Sequence, residues 1–165
     1  MMMQMNQQFD LAFNFLQNTG THLFLTGKAG TGETTFLKKL KEVSPKRMIV
    51  VAPTGVAAIN AGGVTIHSFF QLPFGPYLPS ASREADQAKN FTNKFSRDKI
   101  NIIRSMDLLV IDEVSMVRAD LLDAISDVLC RYKDRTKPFG GVQLLLIGDL
   151  QQLAPVAKDD EWNLL

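Results

Sequence analysis

A single cysteine, Cys130, stands in a chain of 165 residues, which excludes an internal disulfide framework and fits a reducing compartment. Its place within an apolar helical pattern reads as an inert core thiol. Long hydrophobic runs are missing as well: no stretch approaches the ~20 apolar residues of a membrane span. The opening MMMQMNQQ has neither the basic flank nor the apolar stretch of a signal peptide. These absences predict a soluble, intracellular chain with no membrane partner. Charge of one sign is also lacking. Lys and Arg number 18 against 17 Asp and Glu, a net +1, so the total neither demands nor excludes a nucleic-acid partner. There is no internal repeat and no low-complexity tract.

What is present suffices for one sizeable core, with 45% hydrophobic and 21% charged residues, so the chain reads as one domain or a piece of one. Four apolar runs of strand length recur: HLFLT (22–26), RMIVVA (47–52), DLLVID (107–112) and VQLLLIG (142–148). They lack polar alternation, as parallel strands buried on both faces do. Between them, TTFLKKLKEV and RADLLDAISDVLCRYKD space apolar residues at a helical period, with Leu121, Leu122, Ile125, Val128 and Leu129 expected to face the sheet. The first 20 residues suggest another helix, with Phe9, Leu11, Ala12, Phe15 and Leu16 as its buried stripe. The pattern predicts an α/β fold with a central parallel sheet and helices on both faces. Residues 73–98 hold three prolines and no sustained period, and read as a long excursion from the sheet. Residues 83–104 carry Arg83, Lys89, Lys94, Arg97, Lys99 and Arg104 against Glu84, Asp86 and Asp98, which is either a solvated loop or a basic contact surface.

The segment LFLTGKAGTGETTFL, residues 23–37, has the spacing of a phosphate-binding loop between a strand and a helix. Glycines at 27, 30 and 32 let the backbone wrap a phosphate chain, the helix start offers free N–H groups, and Thr34 places a hydroxyl for Mg²⁺. A glycine-rich turn without a ligand has the same look. Glu33 stands where the motif requires lysine. The third strand ends in VIDEVSM, whose Asp112 and Glu113 leave the sheet where α/β proteins bind ligands. They fit a Mg²⁺ carboxylate and the group that orients or deprotonates an attacking water, or else an ordinary acidic helix start. The fourth strand runs into GDLQQLAPV, with an amide placed to reach a γ-phosphate.

These segments, together with VVAPTGVAAINAGGVTIHSFF, resemble the first RecA-like domain of a superfamily-one DNA helicase of the Pif type, bacterial in flavour, and the likeness spans residues 23–156. The resemblance implies ATP and Mg²⁺ as cofactors, single-stranded DNA and duplex junctions as partners, a monomer in the bacterial cytoplasm, and 5′-to-3′ translocation. It implies that Gly27, Ala29, Gly30, Thr31, Gly32, Glu33, Thr34 and Thr35 form the nucleotide loop, with Thr34 and Asp112 on Mg²⁺ through water. It makes Asp112 and Glu113 the catalytic acidic pair, sets Gly148 and Asp149 beside them, and makes Gln152 the γ-phosphate sensor. Pro53, Thr54 and Gly55, with Thr65, His67 and Ser68, would lie along the DNA backbone, where small hydroxyls and N–H groups grip phosphates without reading sequence. Phe69 and Phe70 read as core and not as stacking platforms. Gln8 is the nearest candidate to read adenine. The whole chain, 1–165, would be one N-terminal RecA-like domain, with the second such domain absent.

Lysine at 33 would neutralise phosphate charge in the ground state and more so in the transition state. With roughly 4 kcal/mol for two unit charges ~4 Å apart at an effective dielectric near 20, its reversal to glutamate costs several kcal/mol of nucleotide affinity. The expectation is a folded but hydrolysis-dead domain, whose Glu33 can itself occupy the anion site. Lys28 offers a second lysine, yet proteins that use that position keep the usual one too. A non-catalytic DNA-binding or regulatory module is the alternative. A different P-loop enzyme, such as a nucleotide kinase, leaves APTGVAAINAGG and TIHSFF unexplained.

Overall fold

The computed structural model describes residues 7–27, 32–77, 95–152 and 154–155. Five strands form one sheet: β1 (Leu23–Leu25), β2 (Met48–Ala52), β3 (Val64–Thr65), β4 (Leu108–Ile111) and β5 (Gln143–Ile147). Their order is β1-β5-β4-β2-β3, and every pairing is parallel. All strands therefore end at one edge, so the residues that follow each strand meet there.

Side chains alternate across the sheet, which splits the core into two layers. Val50, Leu108, Val110, Leu145 and Ile147 face α1 (Gln7–Asn18) and α2 (Glu33–Val43), together with Phe13, Leu16, Phe36 and Leu40. Val51, Leu109, Ile111 and Leu144 face the other way, onto α4 (Ile66–Phe70), α5 (Arg97–Ser105) and α6 (Ala119–Tyr132). Each wholly buried Leu, Ile or Val contributes about 1.5–3 kcal/mol. Helices on both faces of a parallel sheet are thus what the apolar runs imply, and the middle strands β4 and β5 are buried throughout or nearly so. β1 departs from that expectation. It is an edge strand, and Phe24 is 42% exposed.

The buried stripe of α1 also differs from the sequence reading. Ala12, Phe13 and Leu16 are buried and Phe9 packs beside them, whereas Leu11 and Phe15 are 58% and 40% exposed. At 100° per residue the set 9, 12, 13, 16 forms one face, and 11 and 15 fall opposite it. Phe36 decides the choice, because its ring takes both Phe9 and Phe13 at centroid distances of 5.1 and 4.6 Å. On α6, Ile125 and Leu129 are fully buried, with Leu121, Leu122 and Val128 packed against the same layer. Within the expected excursion, α5 already begins at Arg97, while 78–94 lie outside the described residues. Among the described residues no helix is long and apolar enough to cross a membrane.

The short crossover α3 (Gly55–Ala61) joins the neighbouring strands β2 and β3. Gly63 makes this possible, since a Cβ there would stand 2.3 Å from the Val50 carbonyl oxygen.

Candidate functional site

At the carboxyl edge of β1 the chain passes Gly27 and enters α2 at Glu33. Lys28, Ala29, Gly30 and Thr31 lie outside the described residues. Gly32 precedes α2 at φ 97°, a left-handed conformation that favours glycine, and a Cβ there would come within 3.3 Å of the Phe9 ring. Thr34 and Thr35 are exposed in the first turn of α2. Gln8, next to Phe9, is exposed on the first turn of α1.

Glu33 does not behave as a simple helix-start carboxylate. Burial raises its pKa, and the charges of Asp112, Glu113 and Asp149 raise it further. Its Oε1 is buried and accepts no hydrogen bond, and the loop that would form the anion site lies outside the described residues. Asp112 follows β4, its amide donating to the Val51 carbonyl at 2.9 Å. Burial pushes its pKa up, opposed by the Glu113 amide, which donates to its Oδ1 at 3.0 Å. Glu113 takes a left-handed backbone, φ 53°, uncommon outside glycine, and burial and Asp112 raise its pKa. None of the four carboxylates has an ion-pair partner among the described residues. Nor, among the described residues, do three His, Cys, Asp or Glu side chains converge there as a cage for a metal ion.

Gly148 lets the end of β5 approach the turn after β4: a Cβ would stand 3.0 Å from the Val114 amide nitrogen. Asp149 then caps the following turn, accepting from the Gln151 amide at 2.9 Å, and the Gln152 amide group is 3.5 Å from its Oδ2. Sequence reasoning missed Ser115. Its hydroxyl is buried without a partner, and it lines a cleft of about 240 Å³ with Thr54, Asn60, Glu113, Met116 and Gln152. Burial of a hydroxyl is not visible in a sequence; only its place after the acidic pair is.

The cleft joins the acidic pair to the second group of expected residues. Pro53 leads from β2 to Thr54, the N-cap of α3, whose hydroxyl accepts from the Ala57 amide at 3.2 Å. Thr65 caps α4 in the same way, accepting from Ser68 at 3.3 Å. Both threonines are therefore structural caps, and both keep a hydroxyl proton to donate. Among the described residues nothing lies within 4 Å of a Cβ built on Gly55, which leaves its backbone open to close approach. His67 is half-buried and stacks on Phe74, and burial and the Arg118 charge lower its pKa. Phe69 and Phe70 are core, at 5% and 1% exposure. Of the basic segment, Lys99 sits 3.6 Å over the Phe69 ring and Arg104 donates to the Tyr132 carbonyl, so both serve the fold; Arg83, Lys89 and Lys94 lie outside the described residues.

A parallel sheet of this order, with a glycine loop leaving its edge strand and an acidic pair leaving an inner one, belongs to the P-loop class of α/β domains in its RecA-like form. A sequence profile of the PIF1-like helicase family matches residues 4–163, and the chain belongs to that family. It is 38% identical over 146 residues to the ATP-dependent DNA helicase PIF1 of Candida albicans, covering 85% of this chain and 15% of that protein. Against human PIF1 it is 38% identical over 148 residues, covering 86% and 21%. The chain thus spans about a fifth or less of these curated relatives. Among solved structures, Bacteroides Pif1 bound to single-stranded DNA superposes with a TM-score of 0.88 at 48% identity, covering 99% of this chain and 36% of that one. Bacteroides Pif1 in complex with ADP-AlF4 gives 0.89 at 48% identity, with the same coverage.

Proposed function

We propose that this chain is the N-terminal motor domain of an ATP-dependent 5′-to-3′ DNA helicase, and that Glu33 leaves it unable to hydrolyse ATP. The relatives named for that activity and solved with single-stranded DNA and ADP-AlF4 support the first part. One observation carries the second. The residue at the lysine position is a carboxylate whose pKa is raised by burial and by the charges of Asp112, Glu113 and Asp149, so charge that should attract phosphate repels it.

Bound Mg²⁺-ATP supplies the phosphoryl bond whose hydrolysis drives such a motor. Thr34 and Asp112 would hold the Mg²⁺, a donor set that suits an ion usually bound by one or two carboxylates, waters and phosphate oxygens. Glu113 would orient or deprotonate the attacking water, and Gln152, which lines the cleft, would read the γ-phosphate. The donor set fits the metal, and the Glu33 side chain does not fit the phosphates beside it. Thr54, Gly55, Thr65, His67 and Ser68 present hydroxyls, amides and one neutral ring along the same edge for a DNA strand.

The acting unit we propose is a monomer, although a related structure is described as two coordinating Pif1 helicases at forked double-stranded DNA. A non-catalytic DNA-binding module is the second reading, and Glu33 favours it; the intact Asp112, Glu113 and Gln152 favour the motor. Fluorescence anisotropy with a single-stranded oligonucleotide over a range of salt tests the DNA half. Affinity falling linearly on a log–log plot supports it, and no binding at low salt contradicts it.

A further inference from the structure

The aromatic residues around α4 fall into two sets. Phe69, Phe70 and Tyr77 are buried, whereas Phe74 is 89% exposed, more than any other large apolar side chain described. The Phe74 ring is nevertheless held in place. It stacks on His67 with centroids 4.8 Å apart and planes 21° apart. His67 in turn belongs to α4, which is capped at its start by Thr65 and tied at its end by the Leu72 amide, donating to the His67 carbonyl at 3.1 Å. Two left-handed turns, Gln71 at φ 51° and Gly75 at φ 108°, bracket the segment and turn the chain sharply on either side of Phe74.

One face of the Phe74 ring is therefore backed by imidazole and the other is open to water. A flat apolar face of this size, kept rigid and wet, matches the face of a nucleobase, and base–aromatic stacking tolerates any sequence. The imidazole behind it is neutral near pH 7, since burial and the Arg118 charge keep it from protonating, so the two rings meet as an uncharged stack. Ser68, adjacent to His67, is exposed and supplies a hydroxyl within the same turn. The surface thus offers a base platform beside a phosphate donor, the pairing that single-strand binders use.

We propose that Phe74, backed by His67, is a stacking platform for a base of single-stranded nucleic acid passing over α4. The proposal rests on the DNA-binding reading above. It assigns the stacking role to a ring in the segment after Phe69 and Phe70, which belong to the core.

The test uses the full 165-residue chain with a labelled oligo-dT and the same oligonucleotide carrying abasic sites, at one salt concentration. Phe74→Ala should weaken oligo-dT binding about five- to a hundredfold, leave abasic binding unchanged and leave thermal stability unchanged. Phe74→Trp should retain the intact affinity. Ser68→Asp, which adds charge without touching the rings, should weaken both oligonucleotides alike. If Ser68→Asp weakens binding and Phe74→Ala does not, DNA binds this surface without the platform and the proposal is wrong. If Phe74→Ala weakens both oligonucleotides equally, the residue shapes the loop and stacks on no base. If the unmodified chain binds neither, the underlying DNA reading fails with it.

Discussion

Lys41 reaches across from α2 and donates its ammonium protons to the carbonyls of Ala61 and Gly62, at 2.6 and 2.8 Å. The helix that begins at the glycine loop is thereby fastened to the end of the helix that begins at Thr54. A cation at a helix C-terminus meets carbonyls without intrahelical partners and the negative end of the dipole. Burial lowers the pKa of Lys41. Lys41→Met should cost about 1–2 kcal/mol in urea denaturation, with Lys41→Arg recovering part of it.

Gly63 gives a sharper expectation. Its missing Cβ would overlap the Val50 carbonyl oxygen at 2.3 Å, and backbone on backbone has no side chain to move aside. Gly63→Ala should therefore destabilise by about 2–3 kcal/mol and separate β3 from β2, read by denaturation and by faster amide exchange at Val64 and Thr65.

Ser115→Ala should do the reverse. The buried hydroxyl has no partner, so replacing it by hydrogen removes a desolvated polar atom at the cost of a small void. Stability should hold or rise by about 1 kcal/mol. Loss of more than that amount would mean that the hydroxyl makes a bond through a water in the cleft.

The acidic cluster makes stability depend on pH. Glu33, Asp112 and Glu113 all titrate above their ordinary values, burial being the largest cause for each. The folded chain then holds protons that the unfolded chain has already released. Stability from these groups is complete below the unfolded values, 3.8 for Asp and 4.5 for Glu, and is lost as pH rises through the raised ones. Glu33→Gln should flatten that decline and be the more stable of the two at pH 7, read by urea denaturation. The two proteins should be alike below pH ~4.

Lys99 lies within the basic segment, yet it covers the Phe69 ring and burial lowers its pKa. Lys99→Ala should cost about 0.5–2 kcal/mol of stability and leave the salt dependence of DNA binding unchanged. A salt slope reduced by about one would instead make Lys99 a phosphate contact.

Much of this was legible in the sequence because the strands are continuous apolar runs and the chemistry follows them in order. RMIVVA, DLLVID and VQLLLIG read as buried strands, and Asp112 and Asp149 follow the last two. HLFLT looks the same as these, but neighbours decide whether a strand is central or at an edge, and Phe24 lies at an edge. Leu11 and Phe15 are apolar at helical spacing, and only the position of Phe36 turns the other face of α1 inward. Helices α3 and α4 have 7 and 5 residues, too few for a period to show. Helix α5 buries only Ile103 completely, which leaves little apolar signal among its charges. Thr54 and Thr65 stood out as candidate phosphate contacts, and their capping role was equally encoded, since threonine suits both.

The central claim is that a nucleotide cradle is present and that one side chain disables it. Calorimetric titration of Mg²⁺-ATP into this chain and into Glu33→Lys, at the same salt concentration, tests it most directly. The account predicts micromolar to sub-millimolar binding by the lysine form and affinity lower by at least tenfold with Glu33, since several kcal/mol of charge reversal separates them. Equal affinities, or no binding by either, would contradict it.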